Sequence, residues 1–210
     1  MEGIWLRTGN KFDYDIVTNL CIDGLEESIL SSRYPMLKLY DPIRDNLWSK
    51  CSKDSDVARA TRLATTPPGS GHDCFLKGCL VSFDLTLSVK CWTEAERYKF
   101  FNFVSSMSSL RLAETNSDIA FIHYTSQKSI STLKELMEEY QKDKTRDNWL
   151  KMVYNLPSGL LLSARMTTNY MQLKTIYNQR STHRLPEWQE FCYTLETFPH
   201  SEWITKTEDK

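Results

Sequence analysis

The most regular alternation of apolar and polar residues in the chain lies between Leu80 and Lys90. An apolar residue occurs there at every second position, at Val81, Phe83, Leu85, Leu87 and Val89. A period of two is typical of a strand that has one buried face and one polar face. The pattern therefore predicts a β-strand over residues 80–90.

Helical patterns precede and follow this strand. Residues 54–64 begin with Asp and Ser, which are good N-caps, and they predict a short helix. The next segment, TTPPGSG at 65–71, predicts a loop, because paired prolines and glycines do not continue a helix. After the strand, Thr93 and Glu96 have the spacing of a capping box. They predict a helix whose apolar face includes YKFFNFV at 98–104.

The second half of the chain is rich in helical patterns. Residues 130–142 place five apolar side chains on one stripe, at Ile130, Leu133, Leu136, Met137 and Tyr140. Thr145 is the predicted N-cap of the next helix, which LPSG at 156–159 ends. Residues 167–180 predict another helix. A further helix is predicted over 183–195, with a proline in its first turn, where proline is tolerated.

A helix-rich second half that follows one clear strand predicts the α+β class. The length of 210 residues fits one globular domain with a sizeable core, so we predict a single domain over 1–210 with a frayed tail at 206–210. The first residues have no apolar stretch of signal-peptide length, and no window of the sequence approaches a membrane span.

The formal net charge is -1, from 26 basic and 27 acidic residues. This balance argues against a long nucleic-acid footprint, although one or two arginines suffice for a small phosphate. The six cysteines contain no CxxC pair, so we expect reduced thiols in a cytoplasmic protein. A metal site is conceivable from His72, Cys74, Cys79 and Cys91. Their spacing lacks the two close ligand pairs of a structural zinc site, and we predict no metal.

Several polar residues stand out as candidates for chemistry. Asn169 and Arg180 are eleven residues apart, which is close to three helical turns, so both are expected near one face of a helix. His72 follows a glycine-rich turn, and the serine-rich stretch 105–111 ends in Arg111, which suits phosphate oxygens. Each residue has a plain structural alternative: a helix-end amide, a solvated charge, a surface histidine or a polar helix end.

The order and spacing of these pieces resemble flavin-dependent thymidylate synthases. GHDCF at 71–75 is similar to a Gly-His-x-x-Phe stretch that precedes the main strand of that family. LeuPro at 156–157, followed by Asn169, Leu173 and Arg180, resembles the family's C-terminal helix. STHRLPEWQ at 181–189 resembles the segment after it, and KTIYNQRSTHRLPEW at 174–188 is similar to a phage-type branch. The resemblance covers about 55–205, whereas 1–54 match poorly.

The resemblance implies an antiparallel sheet packed against the helix-rich half, and a homotetramer with pockets shared between subunits. It implies transfer of a one-carbon unit from methylenetetrahydrofolate to C5 of a pyrimidine deoxynucleotide such as dUMP, with FAD and NADPH as cofactors, in the cytoplasm (the host cytoplasm for a phage protein). By the same resemblance, the flavin would contact His72, Asn169 and Lys99. The nucleotide would contact Ser109, Arg111, Arg165 and Arg180, of which Arg180 and Ser109 are the expected catalytic residues.

The family signature, Arg-His-Arg-x2-Ser-x-Asn-Glu-x-Ser-x-Arg-Tyr, is degraded in this chain. Aligned on Ser109 and Arg111, the Arg-His-Arg positions hold Lys99, Phe100 and Phe101. The Asn-Glu positions hold Ser106 and Met107, the Tyr position holds Leu112, and an arginine usual before LeuPro falls at Val153. Three hypotheses follow: a divergent enzyme, a flavin-free nucleotide-binding module of the same fold, or a non-catalytic partner-binding protein.

Overall fold

The computed structural model describes residues 14–39, 52–115 and 119–207 of the protein. Four strands alternate irregularly with nine α-helices over these residues. In chain order the elements are β1 (Val17–Asp23), α1 (Leu25–Ser31), α2 (Asp54–Ala64), β2 (Leu80–Ser88), α3 (Val89–Ala95), β3 (Asn102–Ser106), α4 (Ser109–Glu114), α5 (Gln127–Lys142), α6 (Arg146–Tyr154), β4 (Leu161–Asn169), α7 (Tyr170–Arg180), α8 (Pro186–Leu195) and α9 (Glu202–Thr205). Short 3-10 turns occur at Tyr34–Met36 and Cys74–Gly78.

The four strands form one antiparallel sheet in the order β1-β2-β4-β3. The central pair, β2 and β4, is in register over the whole of both strands, from Leu80 opposite Asn169 to Ser88 opposite Leu161. Helices cover one face of the sheet, as the mixed core cluster of strand and helix residues indicates. The α+β class, with an antiparallel sheet against a helix-rich half, is therefore confirmed.

The two faces of the sheet differ in polarity, as the alternation in β2 predicts. Val81, Phe83, Leu85 and Leu87 are buried, and Phe83 packs against Phe191 of α8 with ring centroids 5.8 Å apart. The other face is lined by polar side chains, for example Asp84, Thr86 and Ser163. A ligand that approaches this second face meets hydroxyl and charged groups.

Most of the predicted helices are present near their predicted bounds. Helix α2 covers 54–64 as expected, although its N-cap is Lys53 and the predicted caps Asp54 and Ser55 are its first two residues. Thr145 accepts a hydrogen bond from the backbone N–H of Asn148 and caps α6, and Pro186 is the first residue of α8. Helix α5 begins earlier than predicted, at Gln127, because Ser126 caps it by accepting from Ser129 N. Its predicted stripe packs inward at Leu133 and Met137.

The helix predicted from Thr93 through 104 is wrong. Helix α3 begins instead at Val89, because the Ser88 side chain accepts a hydrogen bond from Cys91 N. Thr93 lies inside this helix, where its hydroxyl donates to Lys90 O, and the helix ends before Glu96. The chain then becomes strand β3, which pairs with β4. Pairing with a distant strand prevails here over a local capping pattern.

The ends of two predicted elements also differ from the structure. The strand predicted over 80–90 ends at Ser88, where α3 begins. Residues 167–169, predicted as helix, are the end of strand β4. This strand has a weak apolar signal because its buried positions include Ala164 and Thr168. Pairing with β2 on one side and β3 on the other therefore extends the strand to Asn169.

Some sequence-based expectations lie outside the described residues. These are the proline-containing segment TyrAspProIleArg at 40–44, the thiol of Cys51 and the last residues of the tail, 208–210. Of the helices that the structure does describe, none is long and apolar enough to cross a membrane.

A buried ion pair joins the loop after α2 to helix α7. Lys174 and Asp73 are each 1% exposed, and their Nζ and Oδ2 atoms are 2.9 Å apart. The same ammonium donates to the backbone carbonyls of Ala64 at 2.7 Å and Thr66 at 2.6 Å. All three donors of the lysine are thus used, which is the condition for a buried charge to be tolerated.

We expect Lys174→Met to destabilise the protein by about 3–5 kcal/mol, because it leaves Asp73 as a buried charge without its partner. Urea denaturation followed by circular dichroism measures the free energy of unfolding. Lys134→Met, at an exposed position of α5, is the matched control and should change it little. Equal stability of the two variants would contradict the role given to the pair.

Candidate functional site

The first candidate binding surface is a cleft at the start of α7, which we call the Asn169 cleft. It has a volume of about 520 Å³, within the range of small-molecule sites. It is lined by Lys77, Phe100, Asn169, Met171, Gln172 and Thr175. An aromatic ring, two amides, a hydroxyl and a cation suit a planar heterocyclic ligand.

Asn169 has a structural role at this cleft. It is the N-cap of α7, and its Oδ1 accepts a hydrogen bond from Gln172 N at 2.9 Å. This cap uses the carbonyl end of the amide, so the NH2 end is the part suited to donate to a ligand. Phe100 presents a ring that is 54% exposed, whereas the neighbouring Phe101 is buried in the core. Of the two phenylalanines at the degraded signature, only Phe100 is accessible to a ligand.

The second candidate surface is a groove along the end of β3. It joins two clefts, of about 200 Å³ and 420 Å³, which share Ser106, Met107, Ser163 and Ala164. Ser109 lines the smaller cleft, and Arg165 lines the larger one. We call the whole the Ser109–Arg165 groove. Two residues predicted to contact the nucleotide therefore lie along one continuous surface.

Contacts across the sheet hold Arg165 in place. Its Nη1 donates to Asn19 O at 2.8 Å and lies 3.2 Å from Asp84 Oδ1. Asn19 Nδ2 donates to the other oxygen of the same carboxylate at 2.5 Å. Asn19 has a positive φ of 50° at a bulge in β1, a conformation that asparagine tolerates better than most residues. The guanidinium is thus positioned on the polar face with donors left over for a ligand.

Arg180 lies in a third place, among α3, α7 and α8. Its Nη1 donates to Glu94 Oε2 at 2.8 Å, and its Nε donates to Tyr98 OH at 2.8 Å. The guanidinium carbon is 4.8 Å from the centre of the Trp188 ring, a cation–π contact. These contacts use two of the five N–H donors of the arginine. His183 completes the cluster, with its Nε2 3.3 Å from the same Glu94 oxygen.

The pKa of His183 is lowered, first by partial burial and then by the positive charge of Arg180. Glu94 acts in the opposite direction and does not reverse the shift. The fold therefore favours the neutral imidazole. Its Nδ1 accepts a hydrogen bond from Leu185 N, which fixes the loop before α8.

The other predicted site residues are on the surface. His72, Lys99 and Arg111 are exposed. Lys99 Nζ lies 5.7 Å from the centre of the Phe100 ring and so is close to the Asn169 cleft. Arg111 is two residues after Ser109 in α4. His72 is in the loop that Asp73 ties to α7, and it does not line any of the clefts described above.

The described chain thus brings the predicted residues to three separate places. Asn169 and Lys99 are near one cleft, Ser109 and Arg165 share a groove, and Arg180 lies in an ionic cluster. The sequence assigned no role to Gln172, Lys77, Asp84 or Glu94, which contribute to these places. Asp84 lies at a polar position of the predicted strand, but its partner Arg165 is on a strand that the pattern does not predict.

Comparisons with known proteins support the fold. No family model matches the sequence, and no curated protein matches it significantly. Among solved structures, the fold is similar to crystal structures of the flavin-dependent thymidylate synthase ThyX from Helicobacter pylori with FAD and dUMP. One has a TM-score of 0.66 and 16% sequence identity, and the match covers 88% of this chain and 94% of that chain. A second has the same TM-score and identity and is covered to 93%.

These similarities show that the chain has the fold of flavin-dependent thymidylate synthases. The identity is low, so the comparison establishes the architecture, as the motif order in the sequence predicted.

Substitution of Asn169 separates its capping role from contact with a ligand. Asn169→Ala should lower the free energy of unfolding by about 1 kcal/mol, through loss of the cap. Asn169→Ser keeps a capping hydroxyl and should retain most of that stability. Thermal denaturation of both variants tests the assignment. A serine variant as unstable as the alanine variant would argue against the cap.

The lowered pKa of His183 gives a pH dependence with a definite sign. Since the folded state disfavours the protonated imidazole, stability is retained above the ordinary histidine pKa of about 6.5 and falls as the pH drops below it. An NMR titration of the His183 ring should give a pKa below that of the unfolded chain. In Arg180→Gln the pKa should rise, because Glu94 then acts without the opposing cation. An unchanged pKa in that variant would contradict this account.

Proposed function

We propose that the protein binds a pyrimidine deoxynucleotide and a flavin, and that it transfers a one-carbon unit to C5 of the pyrimidine. The observation that carries the proposal is the pairing of a ring-binding cleft with a phosphate-suited groove on a fold whose neighbours are described with FAD and dUMP. A divergent member of the flavin-dependent thymidylate synthases fits these features. The one-carbon donor would be methylenetetrahydrofolate, with NADPH as reductant.

The residues of the Asn169 cleft fit the ring of a flavin. Phe100 offers an aromatic face, the amides of Asn169 and Gln172 can hydrogen-bond to ring heteroatoms, and Lys77 and Lys99 supply positive charge for phosphates. A bound flavin would supply redox chemistry. In this chain Phe100 would hold the ring by stacking, in place of the arginines and histidine of the family signature.

The Ser109–Arg165 groove fits the nucleotide. Ser109 and Arg111, near the start of α4, would contact the phosphate, and Arg165 would contact the sugar phosphate or the base. Asp84 and Asn19 hold the Arg165 guanidinium in one orientation, so less side-chain freedom is lost on binding.

Arg180 is the remaining catalytic candidate. Negative charge develops on the carbonyl oxygens of the pyrimidine during attack at C5, and a guanidinium stabilises it. Glu94, Tyr98 and Trp188 fix the direction of the Arg180 side chain. The guanidinium N–H groups of Arg180 that bind neither Glu94 nor Tyr98 would donate to the base. Since Arg180 lies apart from Ser109 in the described chain, we propose a tetramer in which subunits complete each other's site.

A flavin-free nucleotide-binding module is the second candidate, and one observation favours it. Phe101, at a position where the family signature has a flavin-holding arginine, is 3% exposed and packs against Phe191 in the core. That position cannot contact a ligand without unfolding part of the core. The groove for the nucleotide does not depend on it.

The decisive experiment adds FAD and dUMP separately to the purified protein. Flavin binding is measured by fluorescence quenching, and dUMP binding by calorimetry. With methylenetetrahydrofolate and NADPH also present, mass spectrometry of the nucleotide shows whether it gains a methyl group. Binding of both ligands and a methylated product support the enzyme. Binding of dUMP without flavin supports the module, and binding of neither ligand would exclude both candidates.

Matched variants test the site. Arg165→Met and Arg111→Met should each weaken dUMP binding by about 1.5–3 kcal/mol, as expected for a charge-assisted contact. Arg62→Met, at an exposed position of α2, is the control and should bind as the unmodified protein does. Phe100→Ala should weaken flavin binding, and Tyr193→Ala, at a ring that is 50% exposed on α8, should not. Equal effects of test and control variants would contradict the site assignment.

A further inference from the structure

A third concave surface, which we call the Tyr124 cleft, has a volume of about 370 Å³. It lies where the starts of α3, α5 and α8 meet the turn before β4. None of the residues predicted for the flavin or the nucleotide lines it. The proposed function makes no use of this cleft, and the inference below does not rest on that proposal.

One end of the Tyr124 cleft is rich in groups that bind anions. Ser126 and Ser129 line it, at the first turn of the 16-residue helix α5. Ser126 Oγ already accepts a hydrogen bond from Ser129 N, so the backbone N–H groups that remain for a ligand are those that precede Ser129 in this turn. The first backbone N–H groups of a helix have no partner within the helix and carry partial positive charge. Lys90 also lines the cleft, with a side chain that is 57% exposed and is held only loosely by Glu94, 3.7 Å away.

A buried hydroxyl at the same end lacks a partner. Thr125 Oγ1 is shielded from solvent and makes no hydrogen bond with the described residues. Thr125 lines the cleft next to Ser126. A buried polar atom without a partner is unfavourable, and rotation of the Thr125 side chain toward the cleft would let its hydroxyl donate to an oxyanion there. This observation is independent of the position of the helix end.

Among the described residues that line the cleft, Glu187 is the one carboxylate, and it does not oppose an anion strongly. Glu187 is 2% exposed, and its two oxygens accept hydrogen bonds from the backbone N–H and the hydroxyl of Ser88. Burial raises the pKa of this carboxyl, which favours its neutral form. Both of its oxygens are therefore engaged by Ser88.

The opposite wall of the cleft is suited to a flat ring. Tyr124 is 70% exposed, and its ring is supported by His123, with ring centroids 3.8 Å apart. Leu185 and Pro186 provide apolar surface nearby. An exposed tyrosine that is held by a neighbouring ring loses little freedom when another ring stacks on it.

We propose that the Tyr124 cleft binds a phosphate monoester of a small planar ring, with the phosphate at Lys90 and the start of α5 and the ring against Tyr124. The hydroxyls of Thr125, Ser126 and Ser129 contribute to the phosphate end. The site is separate from the Ser109–Arg165 groove.

The test is an NMR titration of the ¹⁵N-labelled protein with inorganic phosphate and then with thymidine 5′-monophosphate. The amides of 126–129 report on the Tyr124 cleft, and those of 105–109 report on the Ser109–Arg165 groove. We expect the 126–129 amides to shift with both probes. A response of the 105–109 amides alone would overturn this inference while it supported the proposed nucleotide site. A response of the 126–129 amides alone would support this inference and argue against the proposed nucleotide site in the Ser109–Arg165 groove.

Two pairs of matched variants give the inference a quantitative form. Lys90→Met should weaken both probes at the 126–129 amides at least about tenfold. Lys151→Met removes another half-exposed lysine from an i,i+4 ion pair and should have an effect within about twofold. Tyr124→Ala should weaken the monophosphate about fivefold or more but leave phosphate unchanged, and Tyr154→Ala, at a ring 83% exposed, should change neither.

Equal effects of the two lysine variants would overturn the phosphate end of the site. Equal effects of the two tyrosine variants would overturn the ring end. All four positions are on the surface, so the variants are expected to fold.

Discussion

The ammonium group of Lys174 is enclosed by three oxygen atoms from two other parts of the chain, and much of the architecture depends on this contact. It binds the carbonyls of Ala64 and Thr66 at the end of α2, and the carboxylate of Asp73 just before the 3-10 turn. Helix α7, which carries Lys174, follows directly from β4. The contact therefore fixes the loop of 65–73 relative to the central pair of strands.

This constraint connects the core to the candidate site. The Asn169 cleft lies between α7 and the 3-10 turn that follows Asp73, since Gln172 and Lys77 both line it. Movement of the loop away from α7 would separate the Lys174 ammonium from its three oxygen partners. The buried pair thus joins α7 to the chain just before the 3-10 turn, the two elements between which the cleft lies, although neither Lys174 nor Asp73 lines the cleft.

How far the sequence predicted this structure depended on whether a pattern was local. The alternation in β2, the cap at Thr145 and the first-turn proline Pro186 involve neighbouring residues, and the structure confirms them. Strand β3 has no buried side chain at all, so its sequence contains no alternation to detect. Its pairing with β4 is set by partners about 60 residues away, which single-sequence periodicity does not register.

In the candidate site, too, the sequence indicated what depends on neighbouring residues and missed what depends on distant ones. Asn169 was predicted to be important from its spacing, and the structure adds that it caps α7 at the edge of a cleft. Asp84 and Arg165 face each other only because β2 and β4 are in register, so their contact could not be inferred without the second strand. The Lys174–Asp73 pair joins positions 101 residues apart, so no local pattern in the sequence indicates it.

The difference between this chain and the signature of the family that it resembles has a physical counterpart in the core. Phe101 fills a place between Phe83 and Phe191, with ring centroids 6.0 Å and 5.9 Å away. An arginine at this position would bury a charge without a partner, so the packing of Phe101 and a flavin-holding arginine exclude each other. Phe100, one residue earlier, turns outward into the Asn169 cleft. Of these two residues, Phe101 therefore strengthens the core and Phe100 presents an aromatic face to the cleft.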